Sequence, residues 1–190
     1  MIQIAIFASG AGSNAKKIVE YFAERKNNSA KIGLIVCNKP GAGVLEIAEE
    51  HNIPTLLIEK EKFFRGNGYV DELKTGGIDF IVLAGFLWKI PSCLVKAYHR
   101  KMINIHPALL PKYGGKGMYG RFVHEAVLAN KEKESGISIH YVDDVYDNGQ
   151  IVLQATCMID ENETPETLAN KVQLLEHRHF PAAVALLATL

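Results

Sequence analysis

The sequence has no surplus of either charge. Twenty-one lysines and arginines face 21 aspartates and glutamates, so the formal net charge is zero. That balance argues against the broad basic surface of a nucleic-acid binder and against adhesion to an anionic membrane. It leaves open an anionic small molecule, because a few local donors can hold a phosphate. Cysteine is scarce: Cys37, Cys93 and Cys157 lie far apart and form no C-x-x-C pair. Neither a metal site nor a disulfide framework is expected, and three reduced thiols suit a cytoplasmic protein. No apolar run approaches the ~18 residues of a membrane span. The apolar start, Ile2–Ala8, has no positive flank like that of a signal peptide and reads as a strand. Repeats, low-complexity segments and linkers are missing. So is the Gly-x-Ser-x-Gly elbow of a serine hydrolase.

What is present is a globular composition, with 48% hydrophobic and 22% charged residues in 190. One domain spanning 1–190, with a sizeable core, is the expectation. Short apolar runs alternate with helical periodicity through the first half. Strands are expected at Ile2–Ala8, Lys31–Cys37, Pro54–Ile58, Asp79–Ala84 and Lys101–His106. Helices are expected after the first strand to about Arg25, at Val44–His51, at Tyr69–Thr75 and at Pro91–His99. Such βαβ units imply a mainly parallel sheet. The pattern then changes. Glycines 114, 115, 117 and 120 crowd one loop, and a helix follows at Arg121–Asn130. Two strand runs, Gly136–Val142 and Ile151–Met158, flank Asn148-Gly149, a hairpin signal. A long helix opens at Thr164-Pro165, with Leu168, Val172, Leu175 and His179 on one stripe. The fold class expected is α/β. It has an open, mainly parallel twisted sheet, helices on both faces and an antiparallel C-terminal hairpin. Its N-terminal half is Rossmann-like.

Five features could carry chemistry. Gly10-x-Gly12-x-x-Ala15 joins a strand to a helix, where backbone amides can hold a phosphate. A phosphate loop, a dinucleotide loop and a plain tight turn all fit. The acid that a dinucleotide ribose needs after the second strand is replaced by Asn38. Asn104 and His106 are two apart on a strand, so they share a face at its carboxyl end while Ile103 and Ile105 take the other. An amide beside an imidazole can stabilise an oxyanion and move a proton. A hydrogen-bonded core pair would look the same. Asp147 is either a turn acid or a carboxylate that polarises a histidine. His140, on the face of Ser138, could line the same cleft. Gln173 and Glu176 are neighbours on the last helix. His177 and His179 are two apart on a helix and cannot share a metal ion.

The run Asn104-Ile105-His106-Pro107-Ala108-Leu109-Leu110-Pro111-Lys112-Tyr113 resembles the signature of the 10-formyltetrahydrofolate-using formyltransferases. Ser9-Gly10-x-Gly12-Ser13-Asn14, Leu83-Ala84-Gly85-Phe86, Asp147-x-Gly149 and Gln173-x-x-Glu176-His177 match in order, so the likeness covers nearly the whole chain. The early Gly-Ser-Asn loop and the late Gln/Glu pair resemble the branch that acts on glycinamide ribonucleotide in purine synthesis. The resemblance implies a formyltransferase fold, with 1–105 as a phosphate-binding half and 106–190 as a folate and catalytic half. It implies Asn104, His106 and Asp147 as the catalytic triad, with Asp147 favouring a charged His106. It implies Gly12, Ser13, Asn14, Gln173 and Glu176 as contacts to the substrate phosphate, ribose and amine. For the folate side it implies Arg65, Trp88, Lys89, Ile90, Pro91, Asn104 and His140. The implied co-substrate is 10-formyltetrahydrofolate, with no metal, no nucleic acid and no membrane. A monomer or a homodimer would serve.

The chain departs from the family pattern in places. Many relatives have Met-Arg where Trp88-Lys89 stands, and Gln150 occupies a frequent proline position. The glycine loop, read as a lid, is longer than in short members, so Lys116 and Tyr119 have no assigned role. Two relatives by chemistry are also expected to need more chain: a formyltetrahydrofolate hydrolase with an N-terminal regulatory domain, and a methionyl-tRNA formyltransferase with a basic domain. A bare nucleotide-binding module and a dinucleotide-dependent oxidoreductase are the readings from other classes.

Overall fold

A computed structural model describes residues 1–25 and 29–190. Five parallel strands come first: β1 (Ile2–Ala8), β2 (Ala30–Cys37), β3 (Thr55–Leu57), β4 (Phe80–Leu83) and β5 (Met102–His106). Two antiparallel strands follow, β6 (Glu134–Tyr141) and β7 (Ile151–Met158). The sheet order is β3-β2-β1-β4-β5-β6-β7. The α/β class, the mainly parallel sheet and the antiparallel end are therefore as the sequence predicts.

The helices are α1 (Ser13–Ala23), α2 (Gly43–Glu50), α3 (Lys60–Arg65), α4 (Val70–Thr75), α5 (Ser92–Ala97), α6 (Arg121–Ala129) and α7 (Pro165–Leu187). The two faces of the sheet bury different sets. Ile4, Ile6 and Ala8 meet α1, α2 and α7 on one side, while Ala5 and Phe7 meet α3, α4 and α5 on the other. This is the period of two that a strand buried on both faces must show. In α7, Thr164 supplies a capping box with Thr167, and Pro165 opens the helix without losing a hydrogen bond.

One element was not foreseen. Short α3 falls between the strands and helices read from sequence; six residues are too few to show a periodicity. The β6–β7 connection carries Asn148-Gly149, as expected. β6 ends at Tyr141 and β7 begins at Ile151, so residues 142–150 form the loop. The loop folds on its own side chains: Asp143 accepts from Val145 N at 2.8 Å and from Asn148 Nδ2 at 2.9 Å. Asp147 stands in the left-handed region at φ 51°, which a short polar side chain tolerates.

Strand β5 is interior, between β4 and β6. Ile103 and Ile105 are buried against the α6–α7 side. Each such side chain stabilises the fold by roughly 1.5–3 kcal/mol relative to an exposed one. A one-residue slip would turn both out, so their burial fixes which way Asn104 and His106 point. Beyond β5, Ser138 Oγ holds the turn by donating to Ala108 O at 2.7 Å and accepting from Leu110 N at 2.9 Å.

Candidate active site

The sheet's carboxyl edge opens into a cavity of about 680 Å³. Asn104, His106, His140 and Asp147 form one wall, and Trp88, Lys89, Ile90, Asn14, Gln173 and Glu176 also line it. The site thus draws on both 1–105 and 106–190.

Asn104 and His140 are register partners across β5 and β6, which brings the amide nitrogen of Asn104 to 3.2 Å from His140 Nε2. His140 Nδ1 lies 2.8 Å from Tyr141 O, a pure acceptor, so Nδ1 carries the hydrogen and Nε2 accepts from Asn104. The second Asn104 hydrogen points to Asp147 Oδ1 at 3.4 Å. His106 is 3% exposed. Its Nε2 sits 2.7 Å from Tyr113 O, and its Nδ1 3.5 Å from Asp147 Oδ2. Gly115 N–H donates to the same carboxylate oxygen at 2.9 Å.

Burial disfavours charge on His106 more than Asp147 and the Tyr113 carbonyl favour it, and His140 adds to the disfavour. The net shift is downward. This corrects the expected charged His106: Asp147 acts in the foreseen direction, but desolvation wins. Asp147 goes the other way. Burial pushes its carboxyl up, yet the neighbouring rings of His140 and His106, at 3.6 and 3.5 Å, and the Gly115 amide outweigh it, so it lies below its ordinary value.

A second corner joins the start of α1 to α7. Gly12 caps α1 at φ 77°, and a Cβ there would come within 2.8 Å of Val44 Cβ, so only glycine fits. Asn14 Nδ2 donates to Glu176 Oε2 at 2.7 Å, and Gln173 Nε2 to Ser13 Oγ at 3.3 Å. Burial raises the Glu176 carboxyl more than the Asn14 bond lowers it. Asn14 Oδ1 is buried with no partner among the described residues, an acceptor aimed for a ligand's N–H or O–H.

The chain matches the protein-family model described as Formyl transferase over residues 2–184. It belongs to the formyltransferase family. Similar curated relatives include the chloroplastic phosphoribosylglycinamide formyltransferase of Arabidopsis thaliana, 42% identical over 96% of this chain and 64% of the relative. The phosphoribosylglycinamide formyltransferase of Bacillus subtilis is 37% identical over 97% of this chain and 93% of the relative. The chain thus spans under two thirds of the plant relatives' length, 59% for that of Vigna unguiculata. Among solved structures, phosphoribosylglycinamide formyltransferase from Bacillus halodurans superposes with a TM-score of 0.87 at 36% identity, covering 97% of this chain and 94% of that one. Glycinamide ribonucleotide transformylase 1 from Geobacillus kaustophilus gives 0.89 at 34%, covering 99% of each.

In this member of the family the expected folate strip is only partly assembled. Trp88 packs in an aromatic group with Phe63, Phe64 and Phe86, at ring separations of 5.6, 5.5 and 6.2 Å. Lys89 Nζ stands 6.0 Å from the Tyr146 ring across the cavity. Pro91 precedes α5 as its N-cap, outside the cavity lining. Arg65 is not brought to the cavity. It is 80% exposed on α3 and pairs with Glu61 at 2.9 Å, because the helix turns it outward. His124 was missed. It lies on α6, 4% exposed, faces the cavity and has a buried Nδ1 without a partner among the described residues. The available signal was a polar residue beside Val123 in a helix leaving the glycine loop. Among the described residues no cluster of three or more His, Cys, Asp or Glu could hold a metal, and no helix is long and apolar enough to cross a membrane.

Burial also lowers His124. Both His106 and His124 are thus neutral in the fold at pH values where the unfolded chain has begun to charge. Their contribution is complete above the unfolded value near 6.5 and is lost as pH falls from there through the depressed folded values. Each steepens the loss by at most about 1.4 kcal/mol per pH unit. Melting temperature is expected to drop clearly between pH 7 and 5.5, and His124→Gln should flatten that drop. A flat wild-type profile, or a variant that tracks it, would contradict the assignment.

Proposed function

We propose that the protein transfers the formyl group of 10-formyltetrahydrofolate to the amine of glycinamide ribonucleotide. The single observation that carries this is the Asn104–His106–Asp147 constellation in a family-matched chain, facing the Asn14–Glu176 corner across one cavity. Relatives and solved neighbours named for this reaction support it, as does a volume in the range of small-molecule sites.

In this reading the substrate phosphate lies on the amides of Gly12, Ser13 and Asn14, with Gln173 beside the ribose. Glu176 holds the amine, a role suited to a carboxylate made more basic by burial. The amine lone pair attacks the formyl carbon, and the carbonyl electrons move to oxygen. Asn104 Nδ2 turns one of its two hydrogens from His140 or Asp147 to that oxyanion. His106, neutral at rest, accepts the proton that the amine sheds, with Asp147 steadying the transient imidazolium. It returns the proton to the folate nitrogen as the carbon–nitrogen bond breaks. One proton leaves the acceptor and one reaches the leaving group, so the transfer balances.

The strip Trp88–Pro91 and His140 form the folate side, and the 114–120 loop, joined to Asp147 through Gly115, limits water. With its cysteines unpaired, we place the reaction in a reducing compartment such as the cytoplasm. The deciding measurement incubates the protein with 10-formyltetrahydrofolate, with and without glycinamide ribonucleotide. Deformylation that requires the ribonucleotide is expected. Equal loss without it would replace transfer by hydrolysis.

A further inference from the structure

Tyr113 is engaged at both ends. Its carbonyl accepts from His106 Nε2 at 2.7 Å, and its hydroxyl donates to Glu132 Oε1 at 2.8 Å. Lys112 Nζ reaches that same Glu132 oxygen at 2.8 Å. Between the two ends the backbone is left-handed, at φ 57°. A bulky residue holds that conformation only where its surroundings impose it. Two residues on, Gly115 grips Asp147. One short stretch therefore holds both members of the His106–Asp147 pair.

Packing alone does not fix this stretch. A cavity of about 250 Å³ lies beside it, lined in part by Leu109, Pro111, Tyr113, Val127, Glu132 and Ser135. The Tyr113 ring is half-buried and packs on the core with one face, but it has open space on the cavity side, so the hydroxyl bond to Glu132 is its restraint there.

We propose that Tyr113, anchored through its hydroxyl by Glu132, is a positioning residue that decides which nitrogen of His106 carries the proton. A carbonyl can only accept, so while the Tyr113 bond stands the neutral ring keeps its hydrogen on Nε2. Nδ1, 3.5 Å from Asp147 Oδ2, is then the basic nitrogen. If the carbonyl swings away, the Asp147 carboxylate is the stronger acceptor. The hydrogen moves to Nδ1, and basicity passes to the far side of the ring. Glu132 thus acts on the chemistry through a residue whose side chain never reaches the cavity wall.

The kinetic arm of the test rests on the formyl-transfer reading; the spectroscopic arm does not. Tyr113→Phe and Glu132→Ala are each expected to lower kcat about tenfold, with KM for both substrates within about twofold. The double variant should lose no more than the worse single one, because both remove one anchor. Glu132→Gln, whose amide oxygen still accepts from the tyrosine, should restore most of the rate. Nitrogen-15 NMR of the His106 ring should show hydrogen on Nε2 in the native protein and a shift toward Nδ1 in Tyr113→Phe. An unchanged tautomer in Tyr113→Phe would overturn the proposal. So would losses that multiply in the double variant and follow melting temperature. A native protein without ribonucleotide-dependent transfer would sink the proposed reaction while leaving the tautomer result to stand or fall by itself.

Discussion

Asn104→Ala is expected to reduce formyl transfer by about 10²–10³, or roughly 2.7–4 kcal/mol in activation free energy. The magnitude is that of a lost oxyanion donor in a site shielded from water. Asn104 is the donor best placed for the role. Its amide lies between His140 and Asp147, at 3.2 and 3.4 Å, and is held at that height by the β5–β6 register. His106→Ala should fall at least as far, since it removes the group proposed to carry the proton from amine to folate nitrogen. Neither change should unfold the protein, because the apolar core contacts of β5 come from Met102, Ile103 and Ile105. Single-turnover transfer, with melting temperature measured alongside, checks both variants. Near-normal turnover in either one would remove that residue from the chemistry.

Gly149→Ala should be nearly as damaging, although Gly149 touches no substrate. A Cβ there would stand 1.8 Å from Tyr141 O and 2.8 Å from Tyr141 C. The obstacle is backbone and cannot swing aside. Tyr141 is pinned by its own bonds: its N–H donates to Gln150 O at 2.9 Å and its carbonyl accepts from His140 Nδ1 at 2.8 Å. The 142–150 loop must therefore move, and it carries Asp147 with it. A displacement of about 1 Å at a reacting group costs on the order of 10² in rate. A loss of that order in kcat is expected, with binding of the ribonucleotide at the distant α1–α7 corner little changed. Wild-type turnover from a stably folded Gly149→Ala protein would show that the loop does not set Asp147.

Much of the site was legible because strand geometry is simple. Asn104 and His106 alternate with two isoleucines, so their common face follows from a period of two. The sheet class follows from the alternation of apolar runs with helical stretches. Arg65 was misplaced for a related reason: no periodicity is readable over six residues, so α3 and its outward face could not be seen. The Asn148-Gly149 signal was a true turn marker, and the strand runs on either side left a loop of about the observed length. How that loop closes was not legible: Asp143 and the close approach of Gly149 to Tyr141 decide that, and both are contacts made by folding.

By itself, then, the sequence determined the fold class, the strand end proposed to bear the chemistry, and the residue types placed there. These rest on local periodicity and on side-chain chemistry, which a linear text preserves. Tertiary structure alone decided the direction in which His106 is shifted and which acceptor each of its ring nitrogens faces. Both depend on how much water the ring loses and on which acceptors close around it. Those acceptors come from residues 113 and 147, on two loops separated in sequence by α6 and β6. The competition between burial and the Asp147 carboxylate has no sign until the two loops are brought together.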